Sequence, residues 1–403
     1  MSRTRTSSFG LRKLSLPSTG VYATAVAISF SAASSAPTPL YRLYQDTMGL
    51  SPATVTFIFA VYVLGMVGAF LTLGRLSDYI GRRPMILAAL VVNLFSLAIF
   101  IKAGHAGDLA IARLLQGVAT GVAMTTLGAT IVDTQPHHSA TLNGVTGFIG
   151  LTAGSLLAGA LIAWAPLPTQ LVYAVLLAIT SIEILMLFLI PETTLGKPGG
   201  FRDLAPRIRV PATARGTMMR LLPLNVAGWA LGGFYLSLMP SLVSAVVSAG
   251  SPFLGAAIVS SLMLTATIAV LALRDRKAEW LLSFSGATLA IGIAATLLAV
   301  HMQSEPGMFA GTVVAGAGLG TAYFGSLRML IPMAGERERA GMLAAYLVIS
   351  YVAFSAPAIA AGLLAPRLTL VTTAYVYGAA LIAMAATSLA VWRLHHRRAR
   401  SLP

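Results

Sequence analysis

Glu183 is an acidic residue inside a long apolar segment, between Ile182 and Ile184. The chain has only 12 acidic residues, and the others fall near the ends of apolar segments or between them. A charged carboxylate in an apolar environment costs about 2.5–3.5 kcal/mol, so such a residue is a functional candidate. Glu183 could carry a proton or bind a cation. The alternative is a structural glutamate that is protonated or hydrogen-bonded between helices.

Arg113 also falls inside an apolar segment, and Gln116 follows one helical turn later on the same face. A guanidinium in such a segment must face a polar interior. There it can stabilise a carboxylate or bind an anion. The alternative is a side chain that extends to the surface, because Asp108, at the end of the segment, is close in sequence.

Residues 74–84 read Gly-Arg-Leu-Ser-Asp-Tyr-Ile-Gly-Arg-Arg-Pro and separate two long apolar segments. Glycines allow a tight turn and close approach of backbones. Asp78 can pair with an arginine or lie at a helix N-terminus. Pro84 suits the first turn of the next helix. The pattern predicts a polar hinge between two spans, and the alternative is a generic basic loop.

Polar and aromatic residues in other apolar segments are candidates for substrate binding. The first apolar segment is unusually rich in serine and threonine and ends in Pro37, Thr38 and Pro39. Prolines at membrane depth are tolerated where a helix lines a cavity. Each candidate, taken alone, is more often a packing residue than a ligand contact. The candidates are Ser31, Gln116, Asn225, Trp229, Tyr235, Tyr346 and Tyr351.

The composition is that of a membrane protein, with 57% hydrophobic and 10% charged residues and a mean hydropathy of +0.83. Soluble domains contain about 25% charged residues. Barrel strands would alternate apolar and polar residues, whereas the apolar runs here are long and continuous. We therefore expect an all-α membrane protein in a lipid bilayer.

Several functions are excluded by what the sequence lacks. It has no cysteine, which excludes disulfides, thiolate metal sites and thiol catalysis. The six histidines lie at segment ends or in tails, so we expect no metal site. No Gly-rich loop followed by Lys-Ser/Thr occurs, so ATP is not the driver and we expect no cofactor. The net charge of +15 lies in short clusters between apolar segments, which indicates membrane topology and not nucleic-acid binding.

We predict twelve transmembrane helices in two six-helix bundles, with the bundles divided by a longer polar stretch. Most of the 27 lysines and arginines fall in the segments that this topology places inside, so both termini are expected in the cytoplasm. The predicted parts are a cytoplasmic N-terminal tail at 1–19, a first bundle at 20–190, a cytoplasmic linker at 191–221, a second bundle at 222–392 and a cytoplasmic C-terminal tail at 393–403.

Three motifs resemble those of the major facilitator superfamily. Residues 74–84 resemble the signature loop between its second and third spans. The run Arg-Leu-Leu-Gln-Gly at 113–117 resembles its fourth-span motif, which is associated with proton-coupled members. The glycines at 147–159 resemble the fifth-span motif of its drug/proton antiporters, although this chain has Gly154-Ser155 where that motif has Gly-Pro. The alternative for these glycines is small-residue packing between helices.

The resemblance implies a secondary active transporter and not an enzyme, working by alternating access between the two bundles. It suggests proton-coupled efflux of a small organic compound, such as a drug or a metabolite, by a monomer in a bacterial inner membrane. In this hypothesis Glu183 exchanges the proton and Arg113 tunes that exchange. The loop would form a conformational latch on the inner side, built from Gly74, Asp78, Gly81, Arg82 and Arg83.

Two other functions stay open. One is a proton-coupled uptake symporter for a small organic solute, such as an organic anion attracted to Arg113. The other is a non-transporting receptor or scaffold, which would not need Glu183 and Arg113 in its spans. A membrane enzyme fits least, because the sequence contains no catalytic constellation.

Overall fold

The computed structural model describes residues 15–194, 208–247, 252–335 and 338–400, and in these ranges all regular structure is helical. The predicted tails at 1–19 and 393–403 and the predicted linker at 191–221 therefore lie partly outside the described residues. A short 3-10 turn covers Ile331–Met333. The α-helices are α1 (Leu16–Ser35), α2 (Pro37–Met48), α3 (Pro52–Leu73), α4 (Ser77–Ile80), α5 (Arg82–Lys102), α6 (Ala106–Thr134), α7 (Ser139–Trp164), α8 (Pro168–Leu187), α9 (Ala212–Ser237), α10 (Met239–Val246), α11 (Pro252–Leu273), α12 (Ala278–His301), α13 (Glu305–Leu330), α14 (Arg339–Leu368) and α15 (Leu370–Arg400).

Among the described residues, ten helices are long and apolar enough to span a membrane, and the bent pair α9–α10 gives an eleventh. The helix direction bends by 63° between α9 and α10. The prediction of an all-helical, multi-pass membrane protein is confirmed, but this criterion does not reach the predicted number of twelve spans. The predicted first span falls on α1, which is 20 residues long and rich in serine and threonine.

Local sequence explains where these helices begin and break. Ser15, Ser51 and Ser304 cap α1, α3 and α13, because each hydroxyl accepts a hydrogen bond from a backbone N–H in the first turn. Pro37 has no N–H, so one hydrogen bond of the helical series is missing where α1 ends and α2 begins. Three boundaries differ from the prediction. Helix α1 begins at Leu16, inside the predicted N-terminal tail, α9 begins at Ala212, inside the predicted linker, and α15 continues to Arg400, inside the predicted C-terminal tail.

The helices pack as two sets. Helices α1–α8 contact mainly one another, and so do α9–α15. The two sets meet mainly along two helix pairs, α7 with α11 and α3 with α14. We call the end of the helices that carries residues 74–84 the loop face, and the other end the opposite face. Because α3 ends just before residue 74 and α5 starts just after residue 81, the chain reverses its direction at the loop face.

Glycines of α7 bring neighbouring helices close together. A Cβ on Gly154 would overlap with the carbonyl oxygen of Ala32 in α1, and one on Gly150 would overlap with that of Ile28. A Cβ on Gly159 would overlap with the Cβ of Ala256 in α11. The alternative interpretation of this motif, small-residue packing, therefore holds for these glycines.

Replacing Gly154 by alanine should destabilise the protein. The added methyl group must push α1 away from α7, and such overpacking costs about 1–3 kcal/mol. Thermal unfolding in detergent should therefore show a lower melting temperature. Gly147→Ala makes the same change on the same helix, where a Cβ would meet no atom within 4 Å, and it serves as the control. Equal melting temperatures for the two variants would contradict the packing argument.

Candidate functional site

A cavity of about 180 Å³ lies between the two sets of helices. Helices α1, α3, α6 and α7 form one side of it, and α9, α11, α13 and α14 form the other. Four of the predicted binding residues line it, namely Ser31, Asn225, Trp229 and Tyr351. Other polar or aromatic residues in its wall are Ser34, Phe59, Tyr62, Thr120, Asn143, Phe148, Tyr323 and Phe354.

Aromatic rings form much of the cavity wall. The ring of Trp229 meets three others edge to face, with centroid distances of 5.0 Å to Tyr351, 6.0 Å to Tyr323 and 5.9 Å to Phe354. Phe59, from the first set of helices, lies 5.1 Å from Phe354 in the second set. Such a wall suits an apolar or aromatic compound, because ring faces and edges both offer favourable contacts. An apolar cavity of about 150 Å³ is large enough for benzene.

Three predicted binding residues, Gln116, Tyr235 and Tyr346, do not belong to this wall. The hydroxyl oxygen of Tyr235 lies 2.8 Å from Oγ1 of Thr312, within the second set. Tyr346 is also buried within that set. Gln116 is buried in the first set, where it contacts Arg113. In this structure the three side chains pack inside one set of helices and do not face the cavity.

Arg113 is 1% exposed, so its side chain does not extend to the surface. Its guanidinium donates hydrogen bonds to the hydroxyl of Tyr41 at 2.6 and 3.0 Å, to the carbonyl oxygen of Ser34 at 2.8 Å and to Oε1 of Gln116 at 2.8 Å. The guanidinium carbon also lies 5.5 Å from the ring centroid of Tyr41 and 5.1 Å from that of Tyr62. All of these partners are neutral.

Arg113 and Gln116 together satisfy the backbone at the break between α1 and α2. Because Pro37 has no N–H, the carbonyl of Ala33 lacks its helical donor. Nε2 of Gln116 donates to that carbonyl at 2.9 Å, and Arg113 donates to the next carbonyl, that of Ser34. The two side chains thus replace hydrogen bonds that a broken helix would otherwise lack inside a membrane.

Glu183 lies on α8, closer to the end of the helix at Leu187 than to its middle. It is 8% exposed, and its Oε2 has no hydrogen-bond partner among the described residues. Its backbone carbonyl accepts a hydrogen bond from the hydroxyl of Tyr22 at 2.9 Å, and Ser29 is within hydrogen-bonding reach of its carboxyl group. Glu183 therefore lies between α8 and α1 and is not part of the cavity wall.

The structure does not bring Glu183 and Arg113 together. Glu183 is bonded to Tyr22, near the start of α1, whereas Arg113 is bonded to Ser34, near its end. The carboxyl group itself lies near Ser29, five residues before Ser34, and because an α-helix rises about 1.5 Å per residue these two contacts are about 8 Å apart along α1. The described partners of the guanidinium are Tyr41, Ser34 and Gln116, so no ion pair joins it to Glu183 there. Any influence of Arg113 on a proton at Glu183 must therefore act through α1 and not through an ion pair.

Arg82 is the centre of the polar cluster at the loop face. Its Nη1 donates to Oδ1 of Asp78 and to Oγ of Ser77, both at 2.6 Å, and its Nε donates to Oδ2 of Asp133 at 3.2 Å. The side chain is 10% exposed, so these ion pairs are only partly screened by water. Three of the predicted latch residues thus lie within this cluster: Asp78 and Arg82 by side chains, and Gly81 by its place between α4 and α5.

Glu192 completes this cluster, and sequence reasoning missed it. Its carboxylate accepts hydrogen bonds from the backbone N–H groups of Arg82 at 2.8 Å, Arg83 at 3.0 Å, Thr193 at 3.0 Å and Thr194 at 3.2 Å. The carboxylate therefore caps the N-terminus of α5, where the helix dipole favours negative charge. The sequence does show an acidic residue, Glu192, just after the last apolar segment of the first set. Its partners, Arg82 and Arg83, are too distant in the chain for the sequence to indicate the contact.

Gly81 is the glycine of the loop that no other residue could replace. It has φ +105°, a backbone conformation that residues with a side chain rarely adopt. A Cβ there would also lie 2.7 Å from Oε2 of Glu192. Gly74, by contrast, is helical and packs near Thr125 of α6. The predicted tight turn is therefore located at Gly81.

Contacts between the two sets differ along the cavity. Towards the opposite face they include hydrogen bonds: Oγ1 of Thr38 donates to the carbonyl of Leu236 at 2.8 Å, and Oγ of Ser241 donates to Oε1 of Gln45 at 2.9 Å. Towards the loop face an apolar cluster joins them, in which Val145 packs with Phe324 and its neighbours. The cavity lies between these two regions.

Two sets of apolar helices around a central cavity are the architecture of a polytopic helical membrane protein. A sequence model of the Major Facilitator Superfamily matches residues 22–295. The chain belongs to this superfamily of transporters, as the loop at 74–84 and the fourth-span motif predicted.

Relatives and solved structures agree with this assignment. The chain is 30% identical over 119 residues to the multidrug resistance protein MdtL of Klebsiella pneumoniae subsp. pneumoniae, a match covering 28% of this chain and 30% of that protein. It is 34% identical over 123 residues to a gallate transporter of Pseudomonas putida, covering 30% and 27%. The chain matches less than a third of the length of these curated relatives. A crystal structure of a point mutant of the nucleoside transporter NupG superposes with a TM-score of 0.73 at 11% identity, covering 93% of this chain and 99% of that one.

Replacing Glu192 by alanine should loosen the start of α5. The N–H groups of Arg82 and Arg83 would lose their acceptor, and loss of a helix N-terminal cap costs about 0.5–2 kcal/mol. Hydrogen exchange of the amides at residues 82 and 83 should become faster, while exchange in α12 stays unchanged. The control is Glu279→Ala, which removes the same charge at an exposed position in the first turn of α12. Unchanged exchange at residues 82 and 83 would show that Glu192 does not hold the loop.

Proposed function

We propose that this protein is a secondary active transporter that exports a small organic compound in exchange for protons. The observation that carries the proposal is the central cavity, because its wall is shared between two sets of helices that could separate at one face while closing at the other. We propose that the sets correspond to two six-helix bundles, at 20–190 and 222–392. The protein would act as a monomer in a bacterial inner membrane, with both termini in the cytoplasm.

Glu183 is the proposed proton-exchanging group. Its burial supports this role, because a carboxyl group in the membrane interior is costly to keep charged and readily takes up a proton. Its Oε2 makes no hydrogen bond within the described part of the chain, so it is available to a proton. Contacts with Tyr22 and Ser29 connect it to α1, which also lines the cavity. Movement of α1 on substrate release would then change the surroundings of the carboxyl group.

Arg113 is proposed to tune this exchange indirectly. It holds the break between α1 and α2 through Ser34 and Tyr41. A change in that break would move the same helix that contacts Glu183. The coupling would therefore depend on the position of α1 and not on a direct attraction between the two charges.

The loop at 74–84 is the proposed latch of the inner side. Asp78 and Arg82 contact each other and Asp133, which belongs to the first set of helices. These ion pairs support a latch, because they hold the turn between α4 and α5 in one arrangement at the loop face. Arg83 contributes its backbone N–H to Glu192. On this proposal the latch breaks when the cavity opens at the loop face.

The relatives support export and uptake to different degrees. Similarity to a multidrug resistance protein favours export. Similarity to a gallate transporter favours a second candidate, proton-coupled uptake of a small organic solute. The cavity would serve either direction, because alternating access is reversible. A receptor or scaffold remains the third candidate, and it would bind a ligand without moving protons.

Proton movement in inverted membrane vesicles tests the proposal. A pH gradient is established, and cationic, neutral and anionic compounds are added in turn. We expect at least one compound to dissipate the gradient in vesicles with the wild-type protein, because export of the compound returns protons. Glu183→Gln should abolish this response, because an amide cannot exchange the proton. Glu279→Gln, at an exposed acidic residue, should leave it intact.

Two results would contradict the proposal. If no compound moves protons, the chain is not a proton antiporter for the compounds tested, and uptake of labelled solutes by whole cells should then exceed that of cells without the protein. If Glu183→Gln responds like the wild type, another group carries the proton.

Replacing Asp78 by asparagine tests the latch. The change removes the charge that pairs with Arg82 but keeps the shape of the side chain. We expect slower turnover with unchanged expression, measured as the rate of gradient dissipation per unit of protein. Asp275→Asn is the matched control, because Asp275 is 94% exposed at the same end of the helices. A normal rate for Asp78→Asn would rule out the latch.

A further inference from the structure

We propose that the central cavity selects aromatic compounds that carry a negative charge, such as aromatic carboxylates, over cations of the same size. The inference rests on the proposed function, since it names the substrate class of the proposed transport cavity. It is carried by the position of Arg113, by the neutral wall of the cavity and by the aromatic rings in that wall.

The positive charge of Arg113 has no counter-ion within the described part of the chain. Its guanidinium is bonded to a tyrosine hydroxyl, a backbone carbonyl and an amide oxygen, which are all neutral. Neutral acceptors satisfy its N–H groups but do not cancel its charge. A buried charge of this kind favours an anion nearby.

Only one layer of residues separates this charge from the cavity. Ser34 accepts a hydrogen bond from Arg113 and also lines the cavity. The ring of Tyr62 lies against the guanidinium and also belongs to the cavity wall. Protein groups and not bulk water lie between the guanidinium and this part of the cavity, so its field is weakly screened there.

The cavity wall offers a cation aromatic rings and neutral oxygen atoms but no negative charge. Among its described residues, none is acidic or basic. Glu183, the embedded acid, lies between α8 and α1 and is not part of the cavity wall. The acids Asp78, Asp133 and Glu192 are paired with Arg82 or with backbone N–H groups at the loop face. A cation in the cavity would meet the positive field of Arg113 with no carboxylate in the wall to offset it.

The aromatic rings of the wall favour anions that are themselves aromatic. Trp229, Tyr323, Tyr351 and Phe354 meet edge to face, and Phe59 and Phe148 face them from the first set of helices. A planar aromatic ring can stack or meet edges in this wall. A small inorganic anion would leave the rings without contact. An aromatic ring bearing a carboxylate on the side of Ser34 and Tyr62 uses both features.

The test measures equilibrium binding to the purified full-length protein in detergent, without a proton gradient, at pH 7. The ligands are 1-naphthoate, 1-naphthamide and 1-naphthylmethylammonium, which share one ring system and differ in charge. We expect naphthoate to bind at least about tenfold more tightly than the ammonium compound, with the amide between them. Equal or tighter binding of the ammonium compound would overturn the proposal, and so would equal affinities for all three ligands.

Variants assign the selectivity to Arg113. Arg113→Gln should reduce naphthoate binding to the level of naphthamide, whereas Arg113→Lys, which retains the charge, should keep part of the preference. The matched control is Arg42→Gln, which removes one positive charge at an exposed position of α2, and it should bind like the wild type. If Arg113→Gln does not fold, the three ligands on the wild-type protein still decide the question.

The binding test separates this inference from the proposed transport activity. Preferential binding of naphthoate without any proton movement in vesicles would support the selectivity and contradict proton-coupled transport. Proton movement driven by the ammonium compound and not by naphthoate would support the transport proposal and overturn the selectivity.

Discussion

The rest of the structure depends on how the break between α1 and α2 is satisfied inside the membrane. A helix interrupted by Pro37 leaves carbonyl groups without donors, and no water in a bilayer core can replace them. Arg113 and Gln116 supply those donors from α6. The same contacts position Ser31 and Ser34 at the cavity and bury a positive charge behind it. The hydrogen bonds from Arg113 and Gln116 to the end of α1 thus determine the shape of that helix, the edge of the cavity and the charge behind its wall.

Sequence patterns located local features well, because these depend on residues close together in the chain. The loop at 74–84, its tight turn and the ion pair between Asp78 and Arg82 all lie within a few residues of one another. The burial of Arg113 also followed from its place in an apolar segment. The family motifs placed the chain in its superfamily for the same reason, since each motif is a short run of residues.

Partners distant in the chain were not predictable from one sequence. Glu192 binds the start of α5 across more than a hundred residues, and nothing near either group indicates the other. The cavity wall gives a second example: Trp229 and Tyr351 are in it, but Tyr235 and Tyr346, on the same two helices, are not. Which side of a nearly uniformly apolar helix faces the cavity depends on packing with its neighbours, and such helices show little periodicity to reveal it.

The polarity of α1 is explained by what surrounds it. It contacts Glu183 through Tyr22 in its first half and Ser29 in its second half. It lines the cavity through Ser31, and its end holds Arg113 through Ser34. A purely apolar helix would cross a membrane more favourably but could make none of these contacts. This helix, rich in serine and threonine, therefore connects the embedded acid, the cavity and the buried charge. For this reason a coupling mechanism in this protein should be sought in the movement of α1, because it is the element that all three groups contact.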